Sequence, residues 1–128
     1  MIYGIGHDVL EIPRLQRLLD GRHGTPFIER VLTPQEQALA RERGQSAEFI
    51  GGRFAAKEAI TKAFGCGIGG VIGFSDLNIV PDEKGKPLVQ LNTAAWERLG
   101  LSAAEHVIHL SITHQPGLAS AFAVVEAR

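Results

Sequence analysis

Hydrophobic residues recur at every second position over residues 1–10, in the stretch MIYGIGHDVL. This period of two predicts a β-strand. One face of that strand carries Met1, Tyr3, Ile5, His7 and Val9, and the other carries Ile2, Gly4, Gly6, Asp8 and Leu10. The second face is small and apolar except at Asp8, and a carboxylate buried there is costly unless a cation or hydrogen-bond donors meet it. Asp8 is therefore a candidate functional residue.

A helical period follows the strand. It predicts a first helix from about Ile12 to Asp20, with an apolar side facing inward and a basic side facing outward. The inward residues are Leu15, Leu18 and Leu19, and the outward residues are Arg14 and Arg17. A second short helix is expected around Phe27 to Val31.

A third helix has a clear start signal. The segment Thr33-Pro34-Gln35-Glu36 fits a capping box with proline at the first helical position. This helix should run to about Arg43 and stop at Gly44.

The central helix is predicted over residues 47–64, with Ser46 as its N-cap and Gly65 just beyond its end. At about 100° per residue, one side collects the apolar residues. That side is formed by Phe49, Ala56, Ile60 and Ala63, flanked by Ala55, Ala59 and Phe64. Glu58 and Lys62 point the opposite way, with Phe54 one turn before Glu58. Because a large aromatic residue on a solvated face usually meets another surface, Phe54 is expected to be exposed and to contact a partner.

The second half of the chain alternates glycine-rich turns with β-branched segments. Five glycines between residues 65 and 73 predict a flexible loop. Residues 76–81 and 87–91 should form a hairpin, followed by a short helix that Asn92 or Thr93 caps and that ends at Leu99. The segments HVIHLSIT and LASAFAVVEA, joined by HQPG, should form a second hairpin. The expected fold class is α+β, an antiparallel sheet with helices packed on one side, in one domain over residues 1–128.

Composition narrows the class of protein without identifying it. The chain has 128 residues, of which 45% are hydrophobic and 21% charged, and its formal net charge is -1. It has no basic excess that would attract a nucleic-acid backbone. A single cysteine, Cys66, cannot form an intramolecular disulfide and fits a reducing compartment. With no apolar run long enough to span a bilayer and no signal-peptide pattern, we expect a cytoplasmic protein.

The candidate chemistry is concentrated in the segment RFAAKEAITKAFGCG, residues 53–67. Glu58 and Lys62 lie four residues apart on one helix face, and Gly65 and Gly67 free the backbone just beyond. A carboxylate, an ammonium and an open backbone suit a magnesium ion and a phosphate, with Asp8 as a second carboxylate. The simpler interpretation is a solvated Glu58–Lys62 pair that stabilises the helix by a few tenths of a kcal/mol.

The histidines and the cysteine give weaker signals. His106 and His109 are three apart in a predicted strand and face opposite sides, while His7 points away from Asp8. His114 lies where the last hairpin turns and could contact a phosphate or carry a proton. Cys66 could be an activated thiol, although no histidine partner is evident. The motifs of serine hydrolases, P-loop proteins, zinc metalloproteases and Rossmann domains are absent.

Three blocks in order along the chain resemble the holo-acyl-carrier-protein synthase family, the short, single-copy class of 4′-phosphopantetheinyl transferases. They are GIGHDVLEIPRL, RFAAKEAITKAFGCGI and HLSITH, and together they extend over nearly the whole chain. The resemblance implies a 4′-phosphopantetheinyl transferase-like fold and a reaction. Magnesium-bound coenzyme A would donate its phosphopantetheine arm to a serine of acyl carrier protein and release adenosine 3′,5′-bisphosphate. The reaction would belong to fatty-acid and lipid biosynthesis, although the carrier could be of the fatty-acid or the polyketide type.

The resemblance also implies roles for individual residues. Asp8 and Glu58 would be the magnesium ligands, and Lys62 would neutralise the diphosphate. Gly65, Gly67 and the loop after them would follow the coenzyme A backbone. Three further residues would help to hold the nucleotide end, namely Arg53, Ser111 and His114. The serine proton would pass either to Glu58 through a water molecule or to a solvent hydroxide.

Partners follow from the same resemblance. Arg14 and Arg17 would meet acidic residues of acyl carrier protein, and the chain would assemble as a homotrimer with its sites at the subunit interfaces. His7, Cys66 and Gln115 depart from the family pattern beside the proposed site. Two other classes stay open: a domain that binds coenzyme A or a nucleotide without turnover, and a structural oligomeric protein with a surface Glu58–Lys62 pair.

Overall fold

The computed structural model describes all 128 residues, which form five strands and five α-helices joined by short connections. In chain order these are β1 (Ile2–Glu11), α1 (Ile12–Asp20), α2 (Gly24–Val31), α3 (Pro34–Glu42), α4 (Ala47–Phe64), β2 (Leu77–Pro81), β3 (Pro87–Leu91), α5 (Thr93–Leu99), β4 (His106–Gln115) and β5 (Leu118–Ala127). Two short 3-10 helices span Phe74–Asp76 and Ala103–Glu105. None of the helices is both long and apolar enough to cross a bilayer.

The strands form two antiparallel sheets. Strands β1, β5 and β4 make a three-stranded sheet with β5 in the middle, and β2 pairs with β3 in a separate hairpin. Helix α4 packs on one face of the larger sheet, whose other face carries exposed apolar side chains. The predicted α+β class, with an antiparallel sheet and helices on one side of it, is confirmed.

Two glycines let β1 lie directly on α4. A Cβ atom added at Gly4 would stand 1.9 Å from the main-chain oxygen of Ala63, and one at Gly6 would stand 1.8 Å from that of Ala59. Real Cβ atoms do not approach an oxygen so closely, so any side chain at these positions would push the strand off the helix. The small face predicted from the alternation is therefore the surface that brings Asp8 to α4.

The ends of α4 are fixed by the predicted capping residues. The Ser46 hydroxyl accepts a hydrogen bond from the Phe49 amide at the N-terminus. At the C-terminus, Gly65 adopts the left-handed conformation with φ of 81°. The capping box of α3 and the Asn92 cap of α5 are also present.

Several predicted boundaries are extended in the structure. Helix α2 begins at Gly24 rather than near Phe27, because Pro26 lies in its first turn, where proline is tolerated. The last hairpin turns over Pro116 and Gly117 alone, since β4 continues to Gln115.

Two side-chain predictions were wrong. Leu18 was expected to face inward but is 38% exposed, whereas Leu15 on the same helix is buried. Phe54 was expected to be exposed but is half-buried, with its ring centroid 5.6 Å from that of Phe27 and 5.7 Å from that of Phe74. Rings of this chain therefore cover part of the Phe54 side chain.

A fully buried ion pair lies on another side of α4. Lys57 Nζ is 2.7 Å from Glu36 Oε1, and neither side chain has any solvent exposure. The ammonium also donates to the main-chain oxygens of Val31 and Phe74. Since Glu36 is the carboxylate of the α3 capping box, one residue links the start of α3 to the middle of α4. The sequence did not predict this pair.

Candidate active site

Asp8 and Lys62 meet where β1 crosses α4. Lys62 Nζ lies 3.0 Å from Asp8 Oδ1 and 3.1 Å from the main-chain oxygen of His7, to which it donates. The Lys62 side chain is half exposed, so its ammonium reaches solvent as well as Asp8. The alternative interpretation, a surface pair between Glu58 and Lys62, does not describe the structure, because the Lys62 ammonium contacts Asp8 instead.

Glu58 lies close enough to Asp8 for their charges to interact. Burial raises the pKa of Glu58, and the negative charge of Asp8 raises it further, while Lys62 lowers it. A cation bound beside both carboxylates would favour the ionised form of Glu58 that burial and the Asp8 charge disfavour. Glu58 on the central helix and Asp8 on the first strand are therefore within electrostatic reach of each other. That they hold a single cation stays a prediction.

The donor set fits a magnesium ion. Carboxylate oxygens are the ligands that Mg²⁺ prefers, and one or two of them suffice when substrate phosphates and waters complete the octahedron. The chain has no cluster of three or more His, Cys, Asp or Glu side chains that could hold a metal alone. A magnesium ion at Asp8 and Glu58 would therefore take its other ligands from water and from the phosphates of a substrate.

An apolar cleft opens beside Glu58. It has a volume of about 370 Å³ and is lined mainly by Phe27, Phe54, Ile68 and Phe74. The Arg30 guanidinium lies 5.8 Å from the centre of the Phe74 ring at the same cleft. The cleft therefore offers an apolar surface, next to the Glu58 carboxylate, on which an apolar part of a ligand could pack.

The glycine segment after α4 begins in conformations that favour glycine. Gly65 and Gly67 have φ of 81° and 66°, and a Cβ at either position would meet nothing within 4 Å. Between them, the Cys66 thiol donates weakly to the main-chain oxygen of Thr61 at 3.8 Å. Burial raises the pKa of the Cys66 thiol, which disfavours the thiolate, so the interpretation of Cys66 as an activated nucleophile was wrong.

Arg53 lies in a separate pocket on another side of α4. Its Nε donates to the main-chain oxygen of Ile79 at 3.1 Å, and its guanidinium carbon lies 4.5 Å from the centre of the Phe49 ring. The guanidinium of Arg43 lies 5.1 Å from the same ring. Burial lowers the pKa of Arg53, the Glu36 charge opposes this, and the Arg43 charge lowers it further. Two guanidinium groups held beside one ring concentrate positive charge in this pocket, which Glu48 also lines.

His114 lines the same pocket, which has a volume of about 150 Å³. Pro81, Gly85 and Pro87 of the β2–β3 hairpin form another part of its wall. The structure therefore brings together Arg53 and His114, two of the three residues assigned to the nucleotide end. Arg43 is a third basic residue there, and the sequence reasoning missed it.

Ser111 lies elsewhere. In the sheet it stands opposite Phe122, which stands opposite His7, whereas His114 stands opposite Ala119. Because Ser111 and His114 are three residues apart on one strand, they face opposite sides of the sheet. Ser111 points to the exposed face, so it does not share the Arg53 pocket within one chain.

Three further histidines, His7, His106 and His109, lie in the strands as predicted. His7 Nε2 lies 3.0 Å from the Ser120 hydroxyl on the exposed sheet face, away from Asp8. His109 Nε2 is 2.9 Å from Glu126 Oε1, and His106 Nδ1 is 2.8 Å from the main-chain oxygen of Ser102. Each of these three rings has a different hydrogen-bond partner, so no two of them are held at a common site.

Helix α1 presents its basic side to solvent. Arg14 and Arg17 are both exposed, and neither takes part in any of the four ion pairs of the chain. Their charges are therefore available to an acidic partner.

The residue pattern and the fold match known proteins. Residues 4–121 match the family model of the 4'-phosphopantetheinyl transferase superfamily. The chain belongs to this superfamily. Within it, the chain falls among the holo-[acyl-carrier-protein] synthases, as the resemblance of its three blocks predicted.

Individual relatives of this transferase extend over almost its full length. The holo-[acyl-carrier-protein] synthase of Bacillus mycoides (strain KBAB4) is 41% identical over 128 residues, which cover 98% of this chain and 97% of that protein. A crystal structure of the Bacillus anthracis synthase in complex with CoA (3',5'-ADP) is 39% identical, with a TM-score of 0.83 over 100% of this chain and 99% of the other. The Neisseria meningitidis synthase is 36% identical, with a TM-score of 0.86 over 98% and 99% of the two chains.

Proposed function

We propose that this protein transfers the 4′-phosphopantetheine arm of coenzyme A to a serine of apo acyl carrier protein. The serine oxygen forms a bond to the β-phosphorus of coenzyme A. The bond from that phosphorus to the oxygen bridging the two phosphates breaks, and adenosine 3′,5′-bisphosphate leaves with that oxygen. The observation that carries the proposal is the meeting of Asp8, Glu58 and Lys62 in a chain of this superfamily.

Asp8 and Glu58 would hold a magnesium ion between them. When bound, magnesium offsets the negative charge of the diphosphate as it is attacked. The raised pKa of Glu58 supports this assignment, because a bound cation would favour the ionised form that Asp8 now disfavours.

Lys62 would neutralise further charge on the diphosphate. Its ammonium is half exposed and bound to Asp8 by one contact of 3.0 Å, so it can reach a phosphate oxygen without leaving a buried site. The nucleophile comes from the carrier protein, and catalysis therefore rests on positioning and charge. Glu58 through a water molecule, or solvent hydroxide, would take the serine proton.

The nucleotide end would bind at Arg53 and His114, with Arg43 as a third basic group. The crowding of two guanidiniums around Phe49 supports this role, because a bound phosphate would relieve their repulsion. Gly65, Gly67 and the loop after them would follow the substrate backbone. Ser111 would contact the nucleotide only across a subunit boundary, since it points to the opposite sheet face.

The two halves of this site open on different sides of one chain. Arg53 and Glu58 are five residues apart on α4, which turns them about 140° from each other. One molecule of coenzyme A would therefore use the carboxylates of one subunit and the basic pocket of another.

An exposed apolar sheet face supports such an assembly. The side chains of Ile5, Val9 and Phe122 are each 46–55% exposed on the face away from α4. Contiguous apolar surface of this kind marks an interface. We infer a homotrimer with its sites at the interfaces, formed by a single 4′-phosphopantetheinyl transferase domain over residues 1–128.

Arg14 and Arg17 would dock the carrier protein. Both are exposed on α1, and complementary charge speeds association and orients the partner. Reaction with coenzyme A and a carrier protein is a cytoplasmic process, which agrees with a single unpaired Cys66.

The test is an intact-mass measurement of apo acyl carrier protein after incubation with the enzyme, coenzyme A and magnesium. The carrier should gain one phosphopantetheine arm. Asp8→Ala and Glu58→Ala should abolish the gain with the fold intact, while Glu97→Ala, an exposed carboxylate on α5, should leave it unchanged. Binding of coenzyme A without any mass gain would indicate a passive binding protein, and normal turnover by Glu58→Ala would refute the assigned site.

A further inference from the structure

The glycine-rich loop over residues 65–73 is held by the side chains of two residues that lie outside it. Arg98 Nε donates to the main-chain oxygen of Val71 at 2.9 Å. The Gly73 amide donates to Asp76 Oδ2 at 2.8 Å. Arg98 Nη2 also donates to that same carboxylate oxygen at 2.8 Å, so Arg98 and Asp76 are bonded to each other as well as to the loop. We call this pair the clamp. Two charged side chains thus fix both a carbonyl and an amide of the loop.

Asp76 is itself held in place by α5. Asn92, the N-cap of that helix, donates from its side-chain Nδ2 to Asp76 Oδ1 at 2.7 Å. Its main-chain N–H donates to the Asp76 main-chain oxygen at 3.0 Å. Burial alone would raise the pKa of Asp76, but hydrogen bonds from Gly73, Asn92 and Arg98 together lower it. Two donors on Oδ2 and one on Oδ1 therefore favour the ionised form of this carboxylate.

The other end of the loop is attached to α4. The amides of Cys66 and Gly67 both donate to the main-chain oxygen of Thr61. Ile72 is fully buried, whereas a Cβ at Gly69 or Gly70 would meet nothing within 4 Å. The loop is therefore anchored at both ends and open to solvent in the middle.

We propose that Arg98 and Asp76 are positioning residues for coenzyme A, which hold the main chain of residues 71–73 so that the loop is already in its binding conformation. This role rests on the proposed function, in which the loop follows the substrate backbone. Neither side chain touches the substrate. They act through the loop, and α5 contributes to substrate binding from a distance.

The physical reason is the entropy of a glycine-rich segment. Glycine has the largest conformational freedom of all residues, and ordering it on binding weakens affinity. The side chains of Arg98 and Asp76 impose that order before the substrate arrives. Without Arg98, the Val71 oxygen and the Asp76 carboxylate lose a charge-assisted donor, and the loop samples more conformations.

The test is the affinity of Arg98→Ala for coenzyme A, measured by calorimetry, together with the KM for each substrate and amide hydrogen exchange of the free protein over residues 65–76. The pair is partly exposed, so we expect affinity to fall by about fivefold to tenfold. The KM for the carrier protein should stay unchanged, and exchange should rise within the loop. Arg98→Lys, which keeps the charge but replaces the planar guanidinium by a single nitrogen on a shorter side chain, should be intermediate. Glu97→Ala controls for α5 itself.

The outcomes separate this proposal from the proposed function. Failure of the unmodified protein to bind coenzyme A would defeat both. Normal binding by the unmodified protein, with Arg98→Ala equal to it in affinity and loop exchange, would overturn the clamp alone. If Arg98→Ala does not fold, Arg98→Lys decides in the same way. A parallel loss of affinity for both substrates would assign Arg98 a purely structural role.

Discussion

Replacement of Lys57 by methionine tests whether the buried ion pair stabilises the helix that carries Glu58. The Lys57 ammonium is within 2.7 Å of Glu36 Oε1 and of the Val31 oxygen, and within 3.0 Å of the Phe74 oxygen. Methionine has nearly the same shape and leaves no large cavity. The substitution therefore removes charge and hydrogen bonds with little change in packing.

The expected loss in the free energy of unfolding depends on the Glu36 carboxylate, which stays buried after Lys57 is replaced. Removing one partner of a buried ion pair costs about 3–5 kcal/mol, because the other charge is left uncompensated. Glu36 still accepts hydrogen bonds from the amides of Thr33 and Ile79, at 2.8 Å and 2.7 Å, so part of its charge remains solvated by the protein. We therefore expect about 3 kcal/mol, a large fraction of the roughly 5–15 kcal/mol that stabilises a typical domain.

The measurement is urea unfolding followed by the fluorescence of Trp96, the only tryptophan, which is buried in the core. The midpoint should fall with little change in the slope m. Lys84→Met, at an exposed position, is the matched control. The double variant with Glu36→Gln should lose less than the sum of the two single variants, with a coupling of about 1.5 kcal/mol or more.

Two results would refute this reasoning. One is a Lys57→Met protein as stable as Lys84→Met, which would mean that the buried pair contributes no net stability. The other is strict additivity in the double variant, which would mean that Lys57 and Glu36 stabilise the fold independently of each other.

Three further predictions test the site. Gly6→Ala should lower the free energy of unfolding by about 3 kcal/mol or more and reduce transfer by the folded fraction, because its Cβ would stand 1.8 Å from the main-chain oxygen of Ala59. The control Gly21→Ala makes only ordinary contacts and should be nearly neutral. Equal midpoints of the two variants in thermal unfolding would contradict this. Glu58→Gln should abolish transfer yet stabilise the unliganded protein at neutral pH. Because the folded-state pKa of Glu58 is raised, its stabilising contribution is present below the unfolded-state pKa and is lost as the pH rises through the folded-state pKa, so the variant should lack this part of the pH dependence of unfolding. Arg14→Glu should weaken carrier-protein binding much more than coenzyme A binding in calorimetry, and equal losses would exclude α1 as the docking surface.

Most of the fold could be predicted because its signals are local. The Thr33 capping box, the Ser46 and Asn92 caps and Gly65 each act within one turn of the helix they delimit. Asp8 could also be found, because the alternation around it left one carboxylate on an otherwise small apolar face. These features depend on neighbours in sequence, which a single chain displays directly.

The failures come from contacts between distant segments. The capping box of α3 is enough to explain a glutamate at position 36, so nothing in the sequence indicated that Glu36 also pairs with Lys57, 21 residues away. Arg98 reaches back 22 residues to Asp76. The rings that cover Phe54 belong to segments whose packing no periodicity specifies. In each case the pattern identified the element but not the surface it meets.

The position of Glu58 depends on the residue before it. Lys57 and Glu58 are adjacent on α4, so their side chains leave the helix about 100° apart. Three hydrogen bonds from the buried Lys57 ammonium fix the rotation of the helix about its axis, and Gly4 and Gly6 fix its distance from β1. Together these constraints direct Glu58 to Asp8. A rotation of α4 about its axis would move Glu58 away from Asp8 and also pull the Lys57 ammonium from its three acceptors, so the buried ion pair helps to keep Glu58 at the proposed site.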